Sequence, residues 1–260
     1  MNNQLALVTG ATSGIGRAFA ESLAADGHDL VIVGRRKERL QEFADTHAEV
    51  EVQIVAADLS TDDGVRTVAE IAASRPLTHL INNAGVAHYM PLAELSAQQA
   101  TELVHIKNVA PMLLAHAALP GMLERGEGTI INIAGMIAFS GPAPGSVMPR
   151  RAIYGGGLAN SFAFAQLLAA ELQDTPIRVQ VVCPGVVATE FHEVQGMDLS
   201  AVPRMSAQDV VSACLRGLEL GETVTAPGVE DASLLDAVFA ADLAAFGAQS
   251  PELAGRYRNA

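Results

Sequence analysis

An apolar run at residues 5–8 leads directly into Thr9-Gly10-Ala11-Thr12-Ser13-Gly14-Ile15-Gly16, and a helical stretch from Arg17 to Ala25 follows. Glycines at such a strand-to-helix junction let the backbone turn sharply and come close to a ligand that side chains would hold off. The helix N-terminus adds unpaired N–H donors and a partial positive charge. The junction therefore predicts a pyrophosphate site on Gly10, Ser13, Gly14, Ile15 and Gly16. Further apolar runs at 30–33, 50–55, 80–81, 129–133 and 179–182 alternate with helical periodicity at 36–47, 61–74, 96–123, 160–172 and 207–220. That alternation predicts an α/β fold, a Rossmann-like doubly wound parallel sheet forming a single domain over residues 1–260. Thr61, Ser96 and Ser206 read as N-caps.

With 260 residues, half of them apolar, the chain can bury one substantial core. A formal net charge of −13 argues against a nucleic-acid partner, which would need clustered Lys and Arg to displace counterions. Cys183 and Cys214 lie far apart, with no paired metal-ligand spacing, so neither a disulfide framework nor a metal site is expected. The N-terminus reads as strand within a few residues, with no leader pattern, and no apolar stretch approaches the roughly 20 residues of a membrane span. A cytoplasmic protein acting on a small-molecule substrate, without a membrane partner, is the expectation.

After the second strand comes Gly34-Arg35-Arg36. An acidic residue there would accept from a ribose 2′-OH, whereas a guanidinium suits a 2′-phosphate, so NADP(H) is favoured over NAD. The alternative makes Arg35 and Arg36 surface cations opening a helix. The irregular stretch at 186–205 carries Phe191, His192, Met197 and Met205 and reads either as a lid over an apolar substrate or as a surface connection with buried anchors. At 230–260, terminal helices place Leu234, Leu235, Val238, Phe239, Leu243 and Phe246 at helical spacing, as core or subunit contacts.

The glycine motif, Asn82-Asn83-Ala84-Gly85 at the fourth strand and Pro184-Gly185-Val186-Val187-Ala188-Thr189 after the sixth occur in order at family spacing. In these the chain resembles the short-chain dehydrogenase/reductases of NADP-preferring type, over nearly its whole length. The resemblance implies that Asp58 and Leu59 flank the adenine and that Asn83, Ala84 and Gly85 meet the adenosine ribose. Pro184, Gly185, Val187 and Thr189 would hold the nicotinamide. Tyr154 would open a helix and act as the general acid/base beside the cofactor, and Asn108 would anchor a proton-relay water. Plainer roles exist for several: Asp58 can cap a turn, the Asn-Asn-Ala-Gly run can close a strand, and Asn108 can satisfy backbone inside a helix. The family's long helices also pack subunits, which implies a homodimer or homotetramer.

The chemistry departs from the family pattern. Leu158 stands four residues after Tyr154, where the family has a Lys that binds the nicotinamide ribose and lowers the Tyr pKa. Bringing a Tyr from about 10 to about 7 takes roughly 4 kcal/mol, and Leu supplies none of it. Gly135 stands at the family's Ser position, leaving Ser140 or Ser146 in the long loop before Tyr154 as replacements. Gly155, Gly156 and Gly157 then loosen the turn after Tyr154, each at about 1 kcal/mol relative to Ala in a helix interior. They either make room for a bulky substrate or reflect relaxation after lost catalysis. Arg150 and Arg151 bind an acidic substrate group or simply face water.

Three functions follow. The first is an NADP(H)-dependent oxidoreductase with an atypical site, reducing a carbonyl or oxidising an alcohol of a small to medium apolar molecule. The others are a catalytically silent cofactor-binding protein and a non-redox lyase or cyclase on the same fold.

Overall fold

The apolar runs become strands buried on both faces, as a sheet covered by helices requires. In the computed structural model, which describes residues 4–141, 143 and 150–258, every residue of β1 (Leu5–Thr9) is buried. With β2 (Asp29–Gly34), β3 (Val52–Ala56), β4 (His79–Asn82), β5 (Gly128–Ile133), β6 (Ile177–Val182) and the two-residue β7 (Val224–Thr225) it forms one sheet of order β3-β2-β1-β4-β5-β6-β7. All pairings are parallel. Alternate residues feed opposite cores, as the strand's two-residue period dictates. Leu5, Leu7, Val31 and Val33 face one cluster, while Ala6, Val8 and Ile32 face the other.

Helices α1 (Gly14–Ala25), α2 (Lys37–Thr46), α3 (Asp62–Ser74), α4 (Ala97–Val104), α5 (Ala110–Arg125), α6 (Ala152–Glu171), α7 (Phe191–Val194), α8 (Ala207–Leu220) and α9 (Ser233–Gly247) follow in chain order. Phe19 of α1, Leu40 and Phe43 of α2 and Val210 of α8 fill one core; Val68 of α3, Leu114 of α5 and Ala165 of α6 fill the other. The strand order reverses beside β1, where β4 pairs with it, so a crevice opens at the carboxyl ends of those two strands.

The expected N-caps form. Thr61 accepts from Gly64 N–H, Ser206 from Asp209 N–H, and Ser96 builds a reciprocal capping box with Gln99. The helix expected over 96–123 divides instead into α4 and α5, joined by a π-helical turn at His105–Val109. One extra residue per turn rotates Lys107 and Asn108 relative to a regular helix, and such turns are frequent at functional sites. Helical periodicity is visible only from 160, but α6 starts at Ala152, close to the Tyr154 start that the resemblance implies, so Tyr154 and the three glycines lie inside it. Ser146 lies outside the described residues. In the 186–205 segment, α7 is framed by a bridge between Val187 and Met205.

Contacts divide the chain into Met1–Pro227, which holds the Rossmann-like sheet, and Gly228–Ala260, which holds α9. No residue of α9 is buried, and Leu234, Val238, Leu243 and Phe246 are exposed. Among the described residues no helix is long and apolar enough to cross a membrane, and no group of three His, Cys, Asp or Glu is placed to hold a metal.

His79 in β4 packs edge-on against His28, with ring centroids 5.1 Å apart. Burial, with the charges of His28 and Arg178, pulls it from 6.5 to about 4. Above pH 6.5 it is neutral folded or unfolded. Between pH 6.5 and about 4 only the unfolded chain takes up the proton, so stability should fall as pH drops through this window, by up to about 3 kcal/mol, and level off below it. Denaturant midpoints measured against pH should be flatter for His79→Gln. Identical pH slopes in the two proteins would show that the acid sensitivity arises elsewhere.

Candidate active site

Two glycines of the first loop take backbone angles that L-residues avoid, with φ of +69° at Gly10 and +55° at Gly14. The loop is also crowded. A Cβ on Gly10 would meet Asn83 Nδ2 at 2.7 Å, one on Gly14 would meet Thr189 at 3.0 Å, and one on Gly16 would fall on the Gly10 carbonyl. Asn83 braces this turn by donating from Nδ2 to the carbonyls of Thr9 at 2.9 Å and Gly10 at 3.4 Å. Thr9 Oγ1 in turn accepts the N–H groups of Asn83 and Ala84. Ser13 is the N-cap residue of α1, and its side chain makes no capping bond, leaving the helix N-terminus open toward the crevice.

That crevice is a cleft of about 690 Å³. It gathers Gly10, Ser13, Gly14, Ile15, Arg35, Arg36, Asp58, Leu59, Asn83, Ala84, Gly85, Ser140, Tyr154, Pro184, Gly185, Val187 and Thr189. Gly16 and Asn108 are the expected site residues that do not line it; Gly16 lies beneath the loop, and Asn108 acts on the backbone. With its amide oriented to donate, Asn108 reaches the carbonyl of Gly157 at 3.0 Å and that of Lys107 at 3.1 Å, tying the π turn to α6.

At one end of the cleft Arg36 donates to Thr12 Oγ1 at 2.8 Å and Ser13 Oγ at 2.9 Å, and pairs with Glu190. Arg39 reaches the other Glu190 oxygen at 2.9 Å. Burial pushes the Glu190 carboxyl up, but hydrogen bonds from Arg39, Arg36 and Ser13 and the charge of Arg36 prevail and hold it at about 2. Arg35 points elsewhere, 3.9 Å from Glu102. Asp58 also meets the plainer expectation in part: its Oδ1 accepts from Ser60 N–H at 3.0 Å and Ser60 Oγ at 2.7 Å.

At the other end Tyr154 is buried, its ring 5.0 Å from that of Tyr89 and its hydroxyl hydrogen-bonded to Tyr89. Burial, then the neighbouring Tyr89, drives the Tyr154 pKa well above its ordinary value. Leu158 supplies apolar wall where a cation would counter this. A Cβ at position 135 would lie 3.5 Å from Leu158 Cδ1, so these two positions adjoin. Ser140 lines the cleft, but its hydroxyl donates to the Ile137 carbonyl at 2.7 Å and accepts from Arg151 Nη2 at 2.5 Å. Phe191, His192, Val194 and Gln195 from the 186–205 segment complete the lining, as does Tyr89, whose ring lies 6.2 Å from that of His192.

Thr12, Arg39, Tyr89, Lys107 and Glu190 belong to the site and were not singled out from the sequence. Glu190 stands 154 positions from Arg36, a pairing that no local pattern signals. Arg39 was findable, since it lies one helical turn past Arg36.

The profile of the short chain dehydrogenase family matches residues 4–199. Sulfoacetaldehyde reductase 2 of Chromohalobacter salexigens is 35% identical over 202 residues, which cover 74% of this chain and 76% of that protein. Among solved structures, a short-chain dehydrogenase from Sphingobium yanoikuyae in complex with NADPH superposes with a TM-score of 0.92 at 32% identity, covering 98% of this chain and all of that one. The bulky-bulky ketone specific alcohol dehydrogenase of Comamonas testosteroni gives 0.89 at 30% identity, with both chains fully covered.

Proposed function

Because the chain belongs to the short chain dehydrogenase family, we propose that it is an NADP(H)-dependent oxidoreductase that reduces a carbonyl, or oxidises the matching alcohol, of a small to medium apolar molecule. The observation that carries this reading is the cleft itself, which has an anion-ready glycine loop with Arg36 at one end and a protonated tyrosine amid apolar side chains at the other. The residues fit a dinucleotide. A Cβ at Gly10 or Gly16 would collide with the loop's own framework, and the N-terminus of α1 leaves N–H donors for a pyrophosphate.

NADPH, when bound, supplies a hydride to the carbonyl carbon. Tyr154 donates a hydrogen bond and then the proton to the carbonyl oxygen, and its raised pKa keeps that proton in place at neutral pH. Tyr89 orients the Tyr154 hydroxyl. Met136, Ile137, Phe191 and Val194 form apolar walls suited to a ketone with two sizeable substituents. The NADPH-bound and bulky-ketone relatives support both choices. The 186–205 segment acts as the lid, and the protein works as a homodimer or homotetramer in the cytoplasm.

The adjoining Gly135 and Leu158 favour a second reading, a silent cofactor-binding protein, since both changes strike the chemistry and spare the nucleotide loop.

Calorimetric titration of nucleotide-free protein with NADPH and NADH, followed by NADPH oxidation with bulky ketones, tests these together. Micromolar NADPH binding, weaker NADH binding and ketone-dependent oxidation are expected. Binding without turnover on any ketone would favour the silent protein, and no binding of either nucleotide would remove both readings.

A further inference from the structure

Among the described residues Lys107 is the only Lys or Arg that is buried, with 7% of its surface exposed. No acid pairs with it among the described residues, although burying an unpaired ammonium is costly. Its place is closely shaped. Its Cβ lies 3.4 Å from where a Cβ on Gly157 would stand, so the last of the three α6 glycines admits its stem. Its Nζ occupies the space that a side chain at Gly85 would fill, at the carboxyl end of β4. The backbone is pinned as well, since Ser161 Oγ of α6 donates to the Lys107 carbonyl at 2.9 Å. The ammonium thus stands on the cleft wall between the glycine loop, where Ala84 packs on Gly10, and Tyr154, three residues before Gly157.

We propose that Lys107 is a cofactor-anchoring residue, its ammonium donating hydrogen bonds to ribose–phosphate oxygens that NADH and NADPH share, and so taking over the binding half of the role left vacant at Leu158. The inference rests on the dinucleotide reading above. It also accounts for two features that reading leaves idle: the π turn that rotates position 107, and the glycine at 157. It leaves the other half of the role unfilled, because burial and Tyr89 alone govern the Tyr154 pKa.

The titratable and charged groups that share the cleft wall with Lys107 are Tyr154 on α6, Tyr89 between β4 and α4, Asp58 after β3 and Arg35 after β2, and His105 opens its own π turn. None shifts it; burial alone draws it from 10.5 to about 8. A ligand oxygen that favours the charged form therefore binds with uptake of a proton above that pH.

The test compares wild-type protein, Lys107→Met and Arg36→Ala by direct titration with NADPH and NADH, with melting temperature recorded for each. Lys107→Met should weaken both nucleotides by about 10- to 100-fold, the size of one lost charge-assisted contact, with a melting temperature equal or higher because a buried charge is gone. Arg36→Ala should weaken NADPH alone. In the wild-type protein, NADH affinity should be constant below about pH 8 and fall up to about tenfold per pH unit above it; this requires no variant and survives any misfolding of one. Wild-type binding with a flat pH profile, or equal affinities for wild type and Lys107→Met, would overturn the role of Lys107 and leave the dinucleotide reading standing. Failure of the wild-type protein to bind either nucleotide would overturn both.

Discussion

Tyr154→Phe is expected to lower kcat/KM for NADPH-driven ketone reduction by about 10²- to 10⁴-fold while leaving NADPH affinity nearly unchanged. Reduction places negative charge on the carbonyl oxygen, and few groups in the cleft can meet it. Leu158 and Gly135 have no polar side-chain atom, and the Ser140 hydroxyl already donates its proton to the Ile137 carbonyl. Of the positions that the family pattern gives to the chemistry, the Tyr154 hydroxyl remains, backed by Tyr89, while Lys107 is assigned to the nucleotide. The lost factor corresponds to about 3–5 kcal/mol of barrier. The raised Tyr154 pKa fixes a direction too. A phenol that stays protonated serves as an acid throughout the neutral range, so reduction should show no loss from Tyr154 ionisation up to about pH 9. Alcohol oxidation needs the phenolate and should rise about tenfold per pH unit over the same range. Steady-state rates in both directions, at saturating nucleotide, check both statements. Reduction that persists in Tyr154→Phe would show that another group delivers the proton, and the assignment of Tyr154 would fail.

Much of this site was legible because its parts are local. The turn at residues 9–16 needs glycines for reasons of backbone angle and close approach, and those needs are written into the sequence itself. Strands buried on both faces appear as unbroken apolar runs, and the three caps are visible as single polar residues before helical periods. The π turn was not legible, since one inserted residue hardly disturbs an apolar period spread over 96–123, yet it determines where Lys107 and Asn108 stand. The start of α6 was legible only through the family resemblance and not in the periodicity: Gly155, Gly156 and Gly157 carry no hydrophobic signal and have low intrinsic helix preference, and the helix forms through them by tertiary packing. Tyr89 and Glu190 join the site only through contacts that fold distant segments together. Sequence could not divide Arg35 from Arg36 either, because both follow the same strand. The fold separates them, turning one toward Glu102 and the other onto Thr12 and Ser13.

That separation carries the second large effect. Arg36→Ala should raise the NADPH dissociation constant by roughly 100-fold, about 3 kcal/mol, and change NADH binding little, so that the preference between the two collapses. The guanidinium is held by two hydroxyls at the mouth of the glycine loop, the geometry in which a phosphate can receive paired N–H bonds. Its present anion is Glu190, which a 2′-phosphate must displace or share. With the carboxyl held at about 2, Glu190 stays ionised throughout the physiological range, and acidification does not relieve the competition. Glu190→Gln should therefore act in the opposite direction, tightening NADPH several-fold at neutral pH, with Arg39 freed to assist. Parallel NADPH and NADH titrations of the two variants measure both effects. An unchanged NADPH-to-NADH ratio in Arg36→Ala would take the phosphate away from the Thr12–Ser13 corner and give it to Arg35, 3.9 Å from Glu102, whose substitution would then carry the loss.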